Sequence, residues 1–217
     1  MLKVTILTVA PELTQTEFDT LLPLVSKEKQ ERLKRFRFFR DAQNSLLGDV
    51  LARIEICRVT GLNNNELVFS ANEYGKPFLT NNTRLHFNIS HTENYVACAI
   101  GHEPVGIDIE RIKRADVKIA ERFFAPDETA YIMESSCRFF EVWTKKESRI
   151  KWEGKGLSKP LPSFSVFDSA ELEKLNYYEV FRSDDVICHV CSSVKEQPNV
   201  EVTDTILLTT CASWEAI

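Results

Sequence analysis

The spacing of apolar residues changes period along the chain, and each period predicts an element. In VGIDIE, Val105 to Glu110, apolar and other residues alternate. Side chains of a strand alternate between faces, so Val105, Ile107 and Ile109 share one face and Gly106, Asp108 and Glu110 the other. A longer period takes over from about Asp41, where Ala42, Leu46, Val50 and Ile54 recur every four residues and Leu47 and Leu51 widen the stripe. That is an amphipathic helix, ended by Gly61 and the run Asn63 to Asn65. Ser26 is a candidate N-cap for a preceding basic helix. LKVTILTV, ELVFS, LHFNIS and NYVACAIG read as strands, with a turn at YGKP.

Turn residues at Gly101 to Pro104 make the best boundary. They divide the chain into an N-terminal lobe, 1–103, and a C-terminal lobe, 104–217. The second part repeats the plan: a strand, helices from Asp116 to about Glu153, a GKGLSKP loop, and strands near SFSVF, YYEVF, VICHVC and TILLTT. The fold class expected is α+β, with two α/β lobes in a pseudo-twofold arrangement, each a small antiparallel sheet packed with helices.

Composition narrows the class without choosing an activity. The chain has 217 residues, 43% hydrophobic and 27% charged, which suits an ordinary globular protein. No apolar run reaches the roughly 18 residues of a membrane span, and the first residues read as a strand with no cleavable leader, so a cytoplasmic protein is expected. Six scattered cysteines suit reduced thiols; Cys188 and Cys191 form one C-x-x-C with no second pair, which favours core packing over zinc. The net charge of −5 argues against a general nucleic-acid binder. It conceals a basic stretch, Lys27 to Arg40, with seven cations against two acids, where an anionic ligand or partner is plausible.

The candidate chemistry begins with a charge in the wrong place. On a helix through RFFEVWTKKESRIKWEGKG, Glu147 falls within the stripe formed by Phe140, Trp143 and Ile150. A carboxylate facing the interior needs a partner, and Asp108 and Glu110 on the nearby strand would repel it unless a cation sits among the three. Three oxygen ligands without His or Cys suit Mg²⁺ or Mn²⁺ held jointly with a substrate phosphate. The alternative has Asp108 and Glu110 facing solvent and Glu147 paired with Lys151 one turn later. Lys151 also fits the metal reading, within reach of a phosphate oxygen. Ser90 and His91 diverge on a strand, so they read as phosphate hydrogen-bond partners or as a simple turn, not as nucleophile and base. Glu128 follows Ala125-Pro126-Asp127 and looks first like helix-start chemistry.

GIDIE followed by WTKKESRIK resembles the paired signature of the 4′-phosphopantetheinyl transferases. SKEKQERLKRF, DAQNSLLGDVLAR, EYGKP, HFNISH, RFFAPDE and EGKGLSKPLPSFSV resemble, in order and spacing, the larger monomeric surfactin type, which activates nonribosomal peptide and polyketide synthetases. The resemblance covers nearly the whole chain, fading after about Asp168. It implies Mg²⁺-dependent transfer of the phosphopantetheine arm of coenzyme A to a carrier-protein serine, releasing adenosine 3′,5′-bisphosphate. It also implies roles for residues. Asp108, Glu110 and Glu147 would hold the metal, and Lys151 would contact the diphosphate beside Ser90. Lys29, Arg32, Ser45 and His91 would hold the nucleotide phosphates, and the turn Tyr74, Gly75, Lys76, Pro77 the adenine. The serine proton would pass to Glu147, or to a water relayed through Glu128. Asn44 departs from the pattern, standing where this type often has a basic residue; so do Lys27, in place of a common proline, and Thr144, at a position usually small. Two other classes share the acids: a metal-dependent phosphodiesterase, which would hydrolyse coenzyme A alone, and a non-catalytic coenzyme A or carrier-binding module.

Overall fold

A computed structural model of the chain describes residues 1–205, apart from 116, 134, 157 and 158. Three sheets organise it. Strands β1 (Leu2–Thr8), β4 (His86–Thr92), β5 (Tyr95–Gly101) and β9 (Asn199–Asp204) form a four-stranded sheet in the order β4-β5-β1-β9. Strands β2 (Phe69–Ala71) and β3 (Pro77–Leu79) form a hairpin. Strands β6 (Val105–Arg111), β7 (Asn176–Arg182) and β8 (Val186–Ser192) form an antiparallel sheet in the order β6-β8-β7.

The helices follow the sequence cues. Ser26 caps α2 (Lys27–Leu33) by accepting from the Lys29 amide, and α3 (Phe39–Thr60) ends at Gly61 in the left-handed region, φ 72°. Between β1 and α2 lies α1 (Gln15–Leu21), closed by a Thr14/Glu17 capping box. The later helices are α4 (Val117–Phe123), α5 (Pro126–Ile132), α6 (Ser136–Glu153) and the short α7 (Ser169–Leu172). No helix among the described residues is long and apolar enough to cross a membrane.

Alternation along the strands builds two cores back to back. Leu7, Val96, Cys98 and Ile100 face α3, where Leu46, Leu47, Val50 and Ile54 meet them. Val4, Ile6, Ala97 and Ala99, on the other side of the same sheet, pack on Val105, Ile107, Ile109, Val186 and Val190 of the second sheet. A third cluster, with Phe124, Ile132, Phe139 and Val142, binds α4, α5 and α6 together. Cys188 and Cys191 are fully buried, and loss of water holds both thiols above their usual range, as core residues require.

The fold is mixed α and β with small, mainly antiparallel sheets, as the pattern implies. One expected strand is absent, and β3 and β9 were not expected. SFSVF begins at the end of a 3-10 turn, Leu161–Ser163, and continues as a loop in which Lys146 donates to the Phe164 carbonyl, so its backbone serves a buried lysine instead of a ladder. The last described strand is NVEVTD, which pairs with β1 in parallel and returns the second half of the chain to the first sheet. All but Thr205 of TILLTT lies outside the described residues.

Candidate active site

The site forms where β6 meets α6. Gly106 makes this approach possible: a Cβ there would stand 2.0 Å from the Ser148 carbonyl oxygen and 2.3 Å from the Trp152 nitrogen. Only glycine lets a strand touch a helix backbone so closely. The closeness brings Lys151 of α6 to Asp108 of β6, Nζ to Oδ1 2.6 Å. Ser90 of β4 completes the group: its hydroxyl donates to Asp108 Oδ1 at 3.0 Å and accepts from Lys151 Nζ at 2.9 Å. The second oxygen of Asp108 is buried and has no hydrogen-bond partner among the described residues.

Glu110 and Glu147 share this neighbourhood, half-buried. Loss of water, with Asp108 adding repulsion, pushes Glu110 up to about 7, against the attraction of Lys151 and an indole N–H bond from Trp143. The same two causes raise Glu147. Two strained carboxylates beside an orphaned carboxylate oxygen fit a cation. Among the described residues no three His, Cys, Asp or Glu side chains converge closely enough to hold one alone. The donor set therefore suits an ion shared with a bound phosphate, the usual habit of Mg²⁺.

A cleft of about 370 Å³ is lined by Lys29, Arg32, Ser45, Gly75, Pro77 and His91, with Asn88, Asp49 and Gly48 among its other walls. Six of the residues expected at a nucleotide thus share one cavity. Lys29 has a pKa lowered by burial, against the pull of Asp49, whose carboxylate lies 3.7 Å away. His91 is lowered by removal from water and by the cations Lys151 and Lys29, which keeps it neutral near pH 7 and able to donate to a phosphate. Its neighbours on β4 make the connection: Asn88 and His91 line the cleft, and Ser90 between them bonds Asp108 and Lys151, so the cleft and the acid group adjoin along this strand.

Three expected residues are placed elsewhere. Glu128 is fully buried in an ion pair with Lys146, 2.6 Å, and its oxygens also accept from the Ala125 and Val166 amides at 2.8 Å. A carboxylate so enclosed, with none of its partners in the acid group, is structural, and the proton relay through it is withdrawn. Tyr74 is 47% exposed at the hairpin tip and outside the cleft lining. Lys76 turns inward, its ammonium donating to the carbonyls of Val105, Lys151 and Trp152 at 3.0, 2.5 and 3.3 Å, so its side chain does not reach a nucleotide. Burial brings it down to about 8.

Other contacts gave no signal in the sequence. Asn88 accepts from the Ile107 amide at 2.8 Å, and Ser90 from the Ile109 amide at 3.3 Å, so β4 side chains satisfy the free edge of β6 on either side of Asp108. An asparagine in a strand looks like any other until its partner is seen. Asn44 is 3% exposed and donates to the Glu93 carbonyl at 2.6 Å, tying α3 to the β4–β5 turn. Thr144 is enclosed against Phe140 and His189.

A cleft that presents Lys29 and Arg32, balanced by Glu28 and Asp49, beside a group of one lysine, one serine and three acids has the donors and cations that a polyphosphate ligand needs. Two family models match in tandem: 4′-phosphopantetheinyl transferase, N-terminal, over residues 11–103, and the 4′-phosphopantetheinyl transferase superfamily over residues 104–211. The chain is 37% identical over 217 residues to the 4′-phosphopantetheinyl transferase gsp of Aneurinibacillus migulanus, covering 94% of this chain and 91% of that one. It is 44% identical over 159 residues to the transferase Sfp of Bacillus subtilis strain 168, covering 71% of each. A yeast relative, the L-aminoadipate-semialdehyde dehydrogenase-phosphopantetheinyl transferase of Saccharomyces cerevisiae, is 32% identical over 158 residues, 66% of this chain and 58% of that one. The chain belongs to the 4′-phosphopantetheinyl transferase superfamily and is an enzyme of that class, which transfers phosphopantetheine to carrier proteins.

Proposed function

We propose that the donor is coenzyme A, that Mg²⁺ (or Mn²⁺) is required, and that adenosine 3′,5′-bisphosphate leaves. The observation that carries this reading is the junction along β4: Asn88 and His91 line a cleft that holds Lys29 and Arg32, while Ser90 between them bonds the lysine and acid suited to a diphosphate. The lobes 1–103 and 104–217 divide the work. The first supplies most of the nucleotide site, and the second supplies Asp108, Glu110, Glu147 and Lys151. Carrier domains of peptide or polyketide synthetases are the acceptors, and the enzyme works as a cytoplasmic monomer.

Lys29, Arg32, Ser45 and neutral His91 hold the nucleotide phosphates by hydrogen bonds and charge. Gly75 and Pro77 form the wall beside the adenine. When diphosphate enters, Lys151 exchanges Asp108 Oδ1 for phosphate oxygens; Asp108, Glu110 and Glu147 are the residues that would hold the metal. Bound metal would neutralise charge on the diphosphate. The carrier serine oxygen then bonds to the β-phosphorus as the β-phosphorus to bridging-oxygen bond breaks. Lys151 stabilises the leaving bisphosphate. Glu147, on the acid group beside the diphosphate, takes the serine proton.

The test is intact mass spectrometry of an apo carrier domain incubated with enzyme, coenzyme A and Mg²⁺, with an EDTA control. The expected result is a metal-dependent gain of one phosphopantetheine on the serine. Coenzyme A binding without transfer to any of several carriers refutes the reading.

A further inference from the structure

The hairpin of β2 and β3 is the thinnest wall of the cleft. Its strands have three residues each and pair only with one another. A lone two-stranded hairpin has little stability in water. Ala71, Gly75 and Pro77 nonetheless line the cleft, so something must hold the hairpin still.

Its base is fixed by Leu79, buried in the first core, and by Phe69 against the Phe87 ring; the contacts that hold its tip lie at the turn. The Asn72 side chain accepts from the Tyr74 and Lys76 amides at 3.0 and 2.9 Å, and its amide group donates to the Gly154 carbonyl at 2.7 Å. From that turn the half-buried side chain of Lys76 reaches across to the carbonyls of Val105, Lys151 and Trp152. An ammonium has three donors, and all three are used. Two acceptors belong to the last turn of α6, whose unpaired carbonyls and dipole attract a cation. The third opens β6, three residues before Asp108.

Gly154 is shaped for the same contact. It caps α6 at φ 73°, and a Cβ there would stand 2.9 Å from the Lys76 Cδ and 3.4 Å from the Asn72 amide nitrogen. EYGKP and EGKG, which look like two unrelated turns, are the halves of one joint.

We propose that Lys76 is a positioning residue that locks the nucleotide-side hairpin to the turn of α6 carrying Lys151 and to the strand carrying Asp108. The wall that grips one end of the ligand and the groups that act on the other then move as one body. The kinetic consequence rests on the transferase reading; the mechanical coupling rests on the geometry alone.

The test compares the wild type with Lys76→Met, which keeps the stem and loses the donors, and Lys76→Arg, which keeps charge and donors. Amide hydrogen exchange of segments 69–79 and 148–154 is measured without ligand, and kcat and KM for coenzyme A are measured well below the melting temperature. In Lys76→Met, exchange in both segments should accelerate together by about tenfold or more as the joint opens locally. Its kcat should fall by about tenfold or more and KM rise, since small displacements at a reacting centre cost up to about 10²-fold. Lys76→Arg should recover most of each. A residue that only stabilised the fold would lower the melting temperature and leave kcat unchanged in folded protein. Folded Lys76→Met with wild-type kcat, or with exchange changed in one segment alone, overturns the proposal. If Lys76→Met does not fold, Asn72→Ala carries the test: it should accelerate exchange in the same two segments, and no change in 148–154 overturns the coupling. A wild type without transfer activity refutes the transferase reading, while the exchange data still decide the joint.

Discussion

Glu110→Gln should make the protein more stable while making it a worse enzyme, and the pH dependence of that gain is the test. In the fold, loss of water and then repulsion from Asp108 carry the carboxyl from 4.5 to about 7. Below 4.5 it is protonated in both folded and unfolded chains and contributes nothing to pH dependence. Between 4.5 and 7 the unfolded chain has released its proton and the folded chain has not, so rising pH favours unfolding. Above about 7 the loss is complete. At 1.36 kcal/mol per pKa unit the full displacement corresponds to about 3 kcal/mol; solvent reaching the half-buried group screens it, which leaves about 1 to 2 kcal/mol. Urea unfolding of both proteins at pH 4.5 and pH 8, without metal or ligand, measures it. The expected difference is small at pH 4.5 and favours Glu110→Gln by about 1 to 2 kcal/mol at pH 8. A variant equally stable or less stable than wild type at pH 8, or a gain independent of pH, refutes the account of strained acids.

Gly106→Ala forces β6 off α6 and should cost about 2 to 3 kcal/mol by urea unfolding, and its residual folded fraction should lose transfer because Asp108 and Lys151 separate; a variant of normal stability and activity contradicts the close approach. Glu128→Ala leaves Lys146 buried and unpaired and should cost about 3 to 5 kcal/mol, whereas folded Glu128→Gln should keep kcat within a few-fold. A folded, inactive Glu128→Gln would restore the relay withdrawn above. Asp108→Asn should retain the melting temperature within a few degrees and lose about 10²-fold or more in kcat, measured by carrier mass shift, since the lysine and any cation both lose their anion; near-normal turnover would remove Asp108 from the site.

What the sequence made legible depended on whether a residue's neighbours lie along the chain or across it. VGIDIE showed its two faces because Val105, Ile107 and Ile109 are wholly buried against the other sheet and Gly106 and Asp108 face α6. α2 and α3 were readable from Ser26 and Gly61, which act on amides and carbonyls a few residues away. Glu128 was half legible. Its bond to the Ala125 amide is the helix-start chemistry its surroundings announced, but its partner Lys146 stands 18 residues on and looks like its neighbour Lys145, which is partly exposed and pairs with Glu141. Lys76, expected at the adenine with the rest of its turn, hid its partners for the same reason: nothing local distinguishes a lysine aimed at a ligand from one aimed at three carbonyls. NVEVTD was not legible as a strand because Val200 and Val202, exposed on the sheet edge, leave it without an apolar stripe; the TILLTT strand falls, beyond Thr205, outside the described residues.

The two halves are joined by side chains where a ladder would otherwise run. β6 pairs with β8 on one edge, and its other edge meets β4. There the amides of Ile107 and Ile109 are taken up by Asn88 and Ser90 instead of by carbonyls. Buried amides left unpaired would cost about 1 to 3 kcal/mol each, so these two contacts fix the register of one half against the other. The residue between the two amides is Asp108, and the hydroxyl that accepts from Ile109 also donates to Asp108 Oδ1. An ordinary backbone ladder would satisfy the same edge but would place no hydroxyl at the carboxylate. Using side chains makes the joint between halves and the positioning of the acid one structure, and it accounts for two polar residues of HFNISH in a strand whose Phe87 faces the α3 core.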